Sequence, residues 1–89
     1  MSYPIILSDQ FKKDIPKLKK ENAKYLAKVW ELVLNIMENP YTGIGEPEAL
    51  KGDLSGWWSR RITPKHRLIY RIEDENLEIA SCYGHYGDK

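Results

Sequence analysis

W-W-S-R-R-I-T-P-K-H-R-L-I-Y-R-I-E-D-E-N-L-E-I-A-S-C-Y, residues 57–83, is the stretch whose reading decides the fold. Two turns divide it into three strand-like runs. Trp57 to Ile62 is the first, and Thr63-Pro64-Lys65 turns the chain. His66 to Ile72 alternates, with Leu68, Tyr70 and Ile72 on one face and Arg67, Ile69 and Arg71 on the other. Asp74-Glu75-Asn76 makes the second turn, and Leu77 to Tyr83 is the third run. The pattern predicts an antiparallel meander followed by a tail, Gly84 to Lys89. Strict alternation sets Ser81, Tyr83 and His85 on one side and Cys82, Gly84 and Tyr86 on the other. Gly84 is the residue able to break that alternation and re-aim His85 and Tyr86.

Working back from the meander, Tyr41 to Gly56 holds four of the six glycines and one proline and fits no period, which predicts a loop with fixed turns. Before it, Leu26, Val29, Trp30, Val33, Ile36 and Met37 trace a helical apolar stripe that begins near Glu21 or Asn22 and ends at Asn39-Pro40. Trp30 reads as core. An earlier helix opens at Asp9 with Ser8 as its cap and carries Phe11, Ile15 and Leu18 at helical spacing. Pro16 either kinks this helix or sits in the first turn of a restarted one. Tyr3 to Leu7 is a short apolar run, read as a strand. The sum is α+β: an N-terminal strand, a two-helix hairpin, then the meander, with both helices packed on one sheet face.

Eighty-nine residues predict one domain, 1–89, with room for one two-layer core. The 42% hydrophobic and 30% charged fractions are those of a globular domain. No run approaches the ~18 apolar residues of a membrane span. No leader pattern is visible, and Cys82 is the lone cysteine, so a cytoplasmic location without membrane attachment is expected. The net charge of +1 hides an asymmetry: residues 51–72 carry six Lys/Arg against one Asp, and residues 73–78 carry four acids and no base. A basic stripe on a balanced chain points to a local anionic ligand.

The residue types suit RNA cleavage by the substrate's own 2′-OH. That reaction needs a base, an acid, cations for the crowded phosphate, and a surface to hold the nucleotide in line. Glu46, Glu48, His66 and His85 are the candidate acids and bases, and Lys51, Arg60, Arg61, Arg67 and Arg71 are the cations. Trp57, Trp58, Tyr83 and Tyr86 are the stacking aromatics. Arg60 and Arg61 are adjacent on one strand and point oppositely, so only one can join the open face. On residue type alone His66 reads as structural, and the two glutamates read equally as solvated loop carboxylates. Two distant histidines and one cysteine give no metal-ligand spacing, and Cys82 in its apolar context reads as a buried thiol.

Four motifs add a resemblance: G-I-G-E-P-E-A-L-K (Gly43–Lys51), L-S-G-W-W-S-R-R-I (Leu54–Ile62), H-R-L-I-Y (His66–Tyr70) and C-Y-G-H-Y (Cys82–Tyr86). In this order and spacing the chain resembles the YoeB/Txe branch of the RelE-like toxins of bacterial toxin–antitoxin pairs. The resemblance implies a RelE-like fold and a metal-independent, cofactor-free endoribonuclease. Such an enzyme cuts mRNA in the ribosomal A site, leaving a 2′,3′-cyclic phosphate and a 5′-hydroxyl. It implies a YefM/Axe-type antitoxin as partner, a homodimer, a two-toxin, two-antitoxin complex, and contact with operator DNA only through the antitoxin. By position it makes Glu48 the general base, Arg67 the phosphate and transition-state stabiliser, His85 the general acid and Tyr86 the residue that orients the nucleotide. Lys51 and Arg61 fall on RNA-contacting basic positions, and Arg60 and Tyr83 join them as substrate-holding candidates. Two departures stand out: Tyr83 where the family commonly has a basic residue, and Gly87-Asp88-Lys89 beyond the tyrosine at which members often end. The alternative is a non-catalytic RelE-like module that binds RNA or an antitoxin without turnover.

Overall fold

A computed structural model describes residues 3–84. Its elements run β1 (Ile5–Leu7), α1 (Asp9–Glu21), α2 (Lys24–Glu38), β2 (Glu48–Ala49), a single 3-10 turn (Gly52–Leu54), β3 (Trp58–Arg61), β4 (Arg67–Glu73) and β5 (Asn76–Ser81). The five strands form one sheet in the order β1-β5-β4-β3-β2. The expected meander, β3-β4-β5, is antiparallel and central. The sheet is wider than expected and mixed. On one side β1 joins β5 in parallel, from Ile5 opposite Leu77 to Leu7 opposite Ile79. On the other side β2 pairs antiparallel with β3, Glu48 opposite Ser59. A two-residue strand is too short to leave a periodic trace in sequence, so β2 lay hidden in the expected loop.

Both helices lie against one face. Phe11 and Leu18 of α1, with Val29, Leu32, Val33 and Ile36 of α2, are buried against Leu68, Tyr70, Leu77 and Ile79 of the sheet. Ser8 caps α1 as expected: its Oγ accepts from the Phe11 amide at 3.0 Å. The same hydroxyl donates to the Ala80 carbonyl at 2.6 Å, so the cap also ties the helix start to β5. The helix does not restart at Pro16 but continues through it to Glu21. A two-residue joint follows, where the Asn22 side chain accepts from the Lys24 amide at 2.9 Å and α2 opens.

One core assignment is corrected. Trp30 is 43% exposed, its ring meeting Phe11 edge-on at a centroid distance of 6.1 Å. Leu32, absent from the predicted stripe, is fully buried. The buried line of α2 runs at 29, 32, 33 and 36, and Trp30 lies one helical step off it, at the rim.

The alternation of β5 breaks at Ala80, and the expected re-aiming of His85 and Tyr86 at Gly84 lies outside the described residues. Tyr70 pairs with Ile79 while its neighbour Ile69 pairs with Ser81, which leaves Ala80 as an extra residue. The bulge changes the phase. Leu77 and Ile79 face the helices, and beyond it the even-numbered Cys82 faces them instead. The Cys82 amide donates to the buried Asp14 carboxylate at 3.0 Å, closing the strand end onto α1. The Cys82 thiol is buried as expected, and burial, aided by Asp14, pushes it up to about 12.

Candidate active site

The sheet face opposite the helices carries the site. Cross-strand partners share a face, so Glu48 with Ser59, and Arg61 with Arg67, follow from the register. Arg67 is only 5% exposed, yet lies at this face. Its Nε donates to Ser59 Oγ at 2.9 Å and its terminal nitrogen to the Glu46 carbonyl at 3.1 Å. The same nitrogen stands 3.9 Å from the Glu48 carboxylate. Two arginines directly opposite would repel. Here Arg61 leans onto the Glu46 carboxylate at 3.1 Å while Arg67 takes the Glu46 main chain. Glu46 therefore separates the two cations, a role set by its neighbours on the folded sheet. Lys51 is exposed just past β2.

The loop that brings Glu48 here is pinned carbonyl by carbonyl. Arg60 donates to the carbonyls of Asn39 (2.6 Å), Thr42 (2.9 Å) and Ile44 (3.0 Å). It also donates to Asn35 Oδ1 at 2.5 Å and to the Tyr70 hydroxyl at 3.1 Å. Tyr70 in turn donates to the Pro40 carbonyl at 2.6 Å. Burial pushes this phenol up from its usual value against the pull of Arg60, so it keeps the proton it donates. The Arg61 amide then takes the Gly45 carbonyl at 2.6 Å. Gly45, at φ +79°, approaches α2 so closely that a Cβ would lie 2.7 Å from Leu32.

These bonds correct the reading of Arg60 as a substrate contact. It is 0% exposed, on the helix-facing side of β3, and its five guanidinium donors all have acceptors inside the protein. Alternation along β3 decided between the two neighbours in favour of Arg61. Arg71 is also engaged elsewhere, 3.0 Å from Glu78 and stacked over Trp57 at 4.4 Å.

Tyr83 joins a different cluster from Arg67. Its hydroxyl donates to Glu21 at the end of α1, its ring packs on His66 with centroids 4.4 Å apart, and Lys17 lies over it at 5.6 Å. His66 is buried and structural, as its sequence context suggested. The Gly84 amide donates to its Nδ1 at 2.8 Å, which leaves the proton on Nε2, donated to Glu21 at 2.8 Å. The Tyr83 hydroxyl, then His66, hold Glu21 below the usual carboxylate range. The Gly84 carbonyl accepts from the Arg67 amide at 3.0 Å, so the chain leaves the described residues beside Arg67. His85 and Tyr86, the predicted acid and orienting ring, lie outside the described residues.

Glu48, Arg61 and Arg67 are thus brought together, with Lys51 on the adjoining exposed turn. Sequence reasoning missed Ser59 and Glu21. Alternation with Arg61 could have placed Ser59 on the face. Glu21 lies 45 residues from His66 and gives no local signal. Among the described residues no cluster of His, Cys, Asp and Glu is arranged to hold a metal, and no helix is long and apolar enough to cross a membrane.

The chain finds counterparts among known proteins. Residues 7–86 match the family model described as YoeB-like toxin of bacterial type II toxin-antitoxin system. The chain is similar to Toxin YoeB of Escherichia coli K12, 40% identical over 82 residues, spanning 92% of this chain and 98% of that protein. It is also similar to a YoeB dimer from Staphylococcus aureus (39% identity, TM-score 0.86, 97% of this chain and 100% of that one). The heterotetrameric YoeB-YefM toxin-antitoxin complex from the same organism matches at 39% identity, TM-score 0.83 and the same coverage.

Proposed function

The chain belongs to the YoeB-like toxins of bacterial type II toxin–antitoxin systems, and we propose that it acts as a ribosome-dependent endoribonuclease on mRNA in the A site. The observation that carries this reading is the exposed carboxylate of Glu48, 3.9 Å from the Arg67 guanidinium. A base and a fixed cation that close together can both reach one ribose and its 3′-phosphate. Glu48 removes the 2′-OH proton, and the 2′-oxygen attacks the adjacent phosphorus. The bond from phosphorus to the 5′-oxygen breaks, leaving a 2′,3′-cyclic phosphate. His85 gives its proton to the departing 5′-oxygen. Arg67 balances the charge that builds on the phosphate oxygens, which makes the reaction independent of a metal or other cofactor. Ser59 and the Glu46 carbonyl hold the Arg67 fork in place for that task. Lys51 and Arg61 take the flanking phosphates, and Tyr86 orients the nucleotide.

In this reading the chain is one toxin domain that works in the cytoplasm. Its neutralising partner is a YefM/Axe-type antitoxin, with which it forms a two-toxin, two-antitoxin complex, and it reaches operator DNA only through that partner. The Staphylococcus aureus dimer and heterotetramer of close relatives support the homodimer and this assembly. The ribosome supplies much of the substrate positioning.

Primer extension on translating ribosomes tests the chemistry. Glu48→Gln and His85→Ala each abolish the A-site cut, and Arg67→Ala lowers the rate of the bound complex more than Lys51→Ala does. Cleavage at the wild-type rate by both Glu48→Gln and His85→Ala would overturn the assignment of base and acid, and no cleavage by the folded wild-type chain would leave the binding-module alternative as the better reading.

A further inference from the structure

Arg60 is a cation at 0% exposure, and among the described residues no carboxylate pairs with it. Removing a charge from water is costly, and a carboxylate is the usual compensation. Here the acceptors are neutral, and four of the five belong to the start of the loop or to Asn35 facing it from α2. The fifth, Tyr70, passes the connection to the Pro40 carbonyl. The loop closes tightly on this centre. A Cβ on Gly43, at φ +122°, would lie 2.0 Å from Asn35 Oδ1 and 3.2 Å from the guanidinium. Asn35 Oδ1 accepts from both Arg60 and the Ile44 amide, so it links the charge to the main chain two residues before Glu46.

We propose that Arg60 is a positioning residue of the cleavage site: its buried guanidinium folds residues 39–44 and so sets where Glu46 and Glu48 stand relative to Arg67. The proposal rests on the endoribonuclease reading above. The connection is short and continuous. From Ile44 the chain passes Gly45, clamped by the Arg61 amide, and Glu46, whose carbonyl holds Arg67. It then enters β2 at Glu48. Arg60 through its side chain, at residues 39, 42 and 44, and Arg61 through its amide, at Gly45, therefore hold one seven-residue stretch, 39–45. A loosened stretch moves base and cation apart without removing either, and displacements near 1 Å cost about 100-fold in rate.

The test uses the full chain and four proteins: wild type, Asn35→Ala, Asn35→Asp and Arg60→Lys. Asn35 engages the centre through its oxygen alone, so an aspartate restores both acceptor bonds and an alanine restores neither. Thermal unfolding verifies that each protein is folded. Amide hydrogen exchange at Ile44 reads the loop, and single-turnover cleavage on mRNA-programmed ribosomes reads the site. In Asn35→Ala, Ile44 exchange rises about 10-fold. Its maximal cleavage rate falls between about 10-fold and 100-fold at an unchanged half-saturating ribosome concentration. Asn35→Asp recovers both to within about 3-fold, since a carboxylate accepts at least as strongly as an amide. Arg60→Lys keeps the charge, loses the fork and cleaves no faster than Asn35→Ala.

A folded Arg60→Lys at the wild-type rate overturns the proposal. So does a loosened Ile44 amide with undiminished cleavage, or equal impairment of Asn35→Ala and Asn35→Asp. If Arg60→Lys does not fold, the Asn35 pair decides. If the wild-type chain itself does not cleave, it is the endoribonuclease reading that fails. The Ile44 exchange comparison then stands alone, and no change in Asn35→Ala overturns the proposal.

Discussion

Arg60 and Arg61 are chain neighbours of identical chemistry with opposite fates. One is sealed among carbonyls under the sheet, and the other is paired with Glu46 at the surface. The residue types alone could not separate them; the strand's two-residue period does, once its register is known. Arg67 shows the same dependence on placement. Lysine there keeps a charge but cannot reach Ser59 and the Glu46 carbonyl together in one plane. Arg67→Lys is expected to lower the cleavage rate about 100-fold, measured as single-turnover decay of the uncut message. Glu21 supplies a pH dependence with a definite sign. Its folded value is lowered, so its contribution to stability is present above the ordinary 4.5 and is lost as pH falls through and below it. Glu21→Gln should therefore flatten the acid limb of the stability curve, read as the change in Tm between about pH 5 and pH 3. An unchanged limb would remove Glu21 from the cause.

At the scale of the element, the loop ahead of β2 was legible as a loop and not as a bearing surface. Its glycines signalled fixed turns, and the structure gives two of them a physical reason in the close approach to Asn35 and Leu32. Gly45→Ala combines positive φ with a 2.7 Å contact and should destabilise by about 1–3 kcal/mol. Gly56→Ala, at φ +96° with open space around the new Cβ, carries the backbone term alone, about 1 kcal/mol. Chemical denaturation of the two variants side by side measures the difference, and equal losses would show that the contact with Leu32 carries nothing. The bulge at Ala80 is the second element-scale device. It turns Cys82 into the core and starts Tyr83 and Gly84 toward His66, an outcome that strict alternation from Leu77 assigns to the wrong side. One extra residue leaves no mark in composition, because any small side chain accommodates it.

For the molecule as a whole, one core joins the helices to the sheet, and both the Glu48 loop and residues 82–84 hang from it. The Glu48 loop is held through Tyr70, whose ring lies in the core, and through Arg60, 5.8 Å from that ring. The end of the described chain is held through Asp14, Glu21 and His66, which tie residues 82–84 to α1. A buried thiol sits at that junction and reports on it. With Cys82 pushed up to about 12 and buried, alkylation by iodoacetamide at pH 8 should require opening of the structure, and its rate divided by that of the unfolded chain's thiol should equal the equilibrium constant for global unfolding. A ratio much larger than that constant would place the C-terminal junction in an opening much smaller than global unfolding.

By itself the sequence determined the α+β class, the meander, the helix cap at Ser8 and the composition of the face opposite the helices. Each of these depends on local periodicity or on side-chain chemistry within a few residues. Its four ordered motifs also carried the family likeness. Tertiary structure alone decided that Arg60 organises the loop while Arg61 faces outward, that β1 runs parallel to β5, and that Trp30 lies at the rim. It also decided that Glu21 fixes the proton on His66. These outcomes depend on partners 10 to 72 residues apart, brought together by register, a one-residue bulge and the packing of two helices on one face. Sequence spacing does not encode which of two adjacent arginines the core will close over; the register of β3 against β4 does.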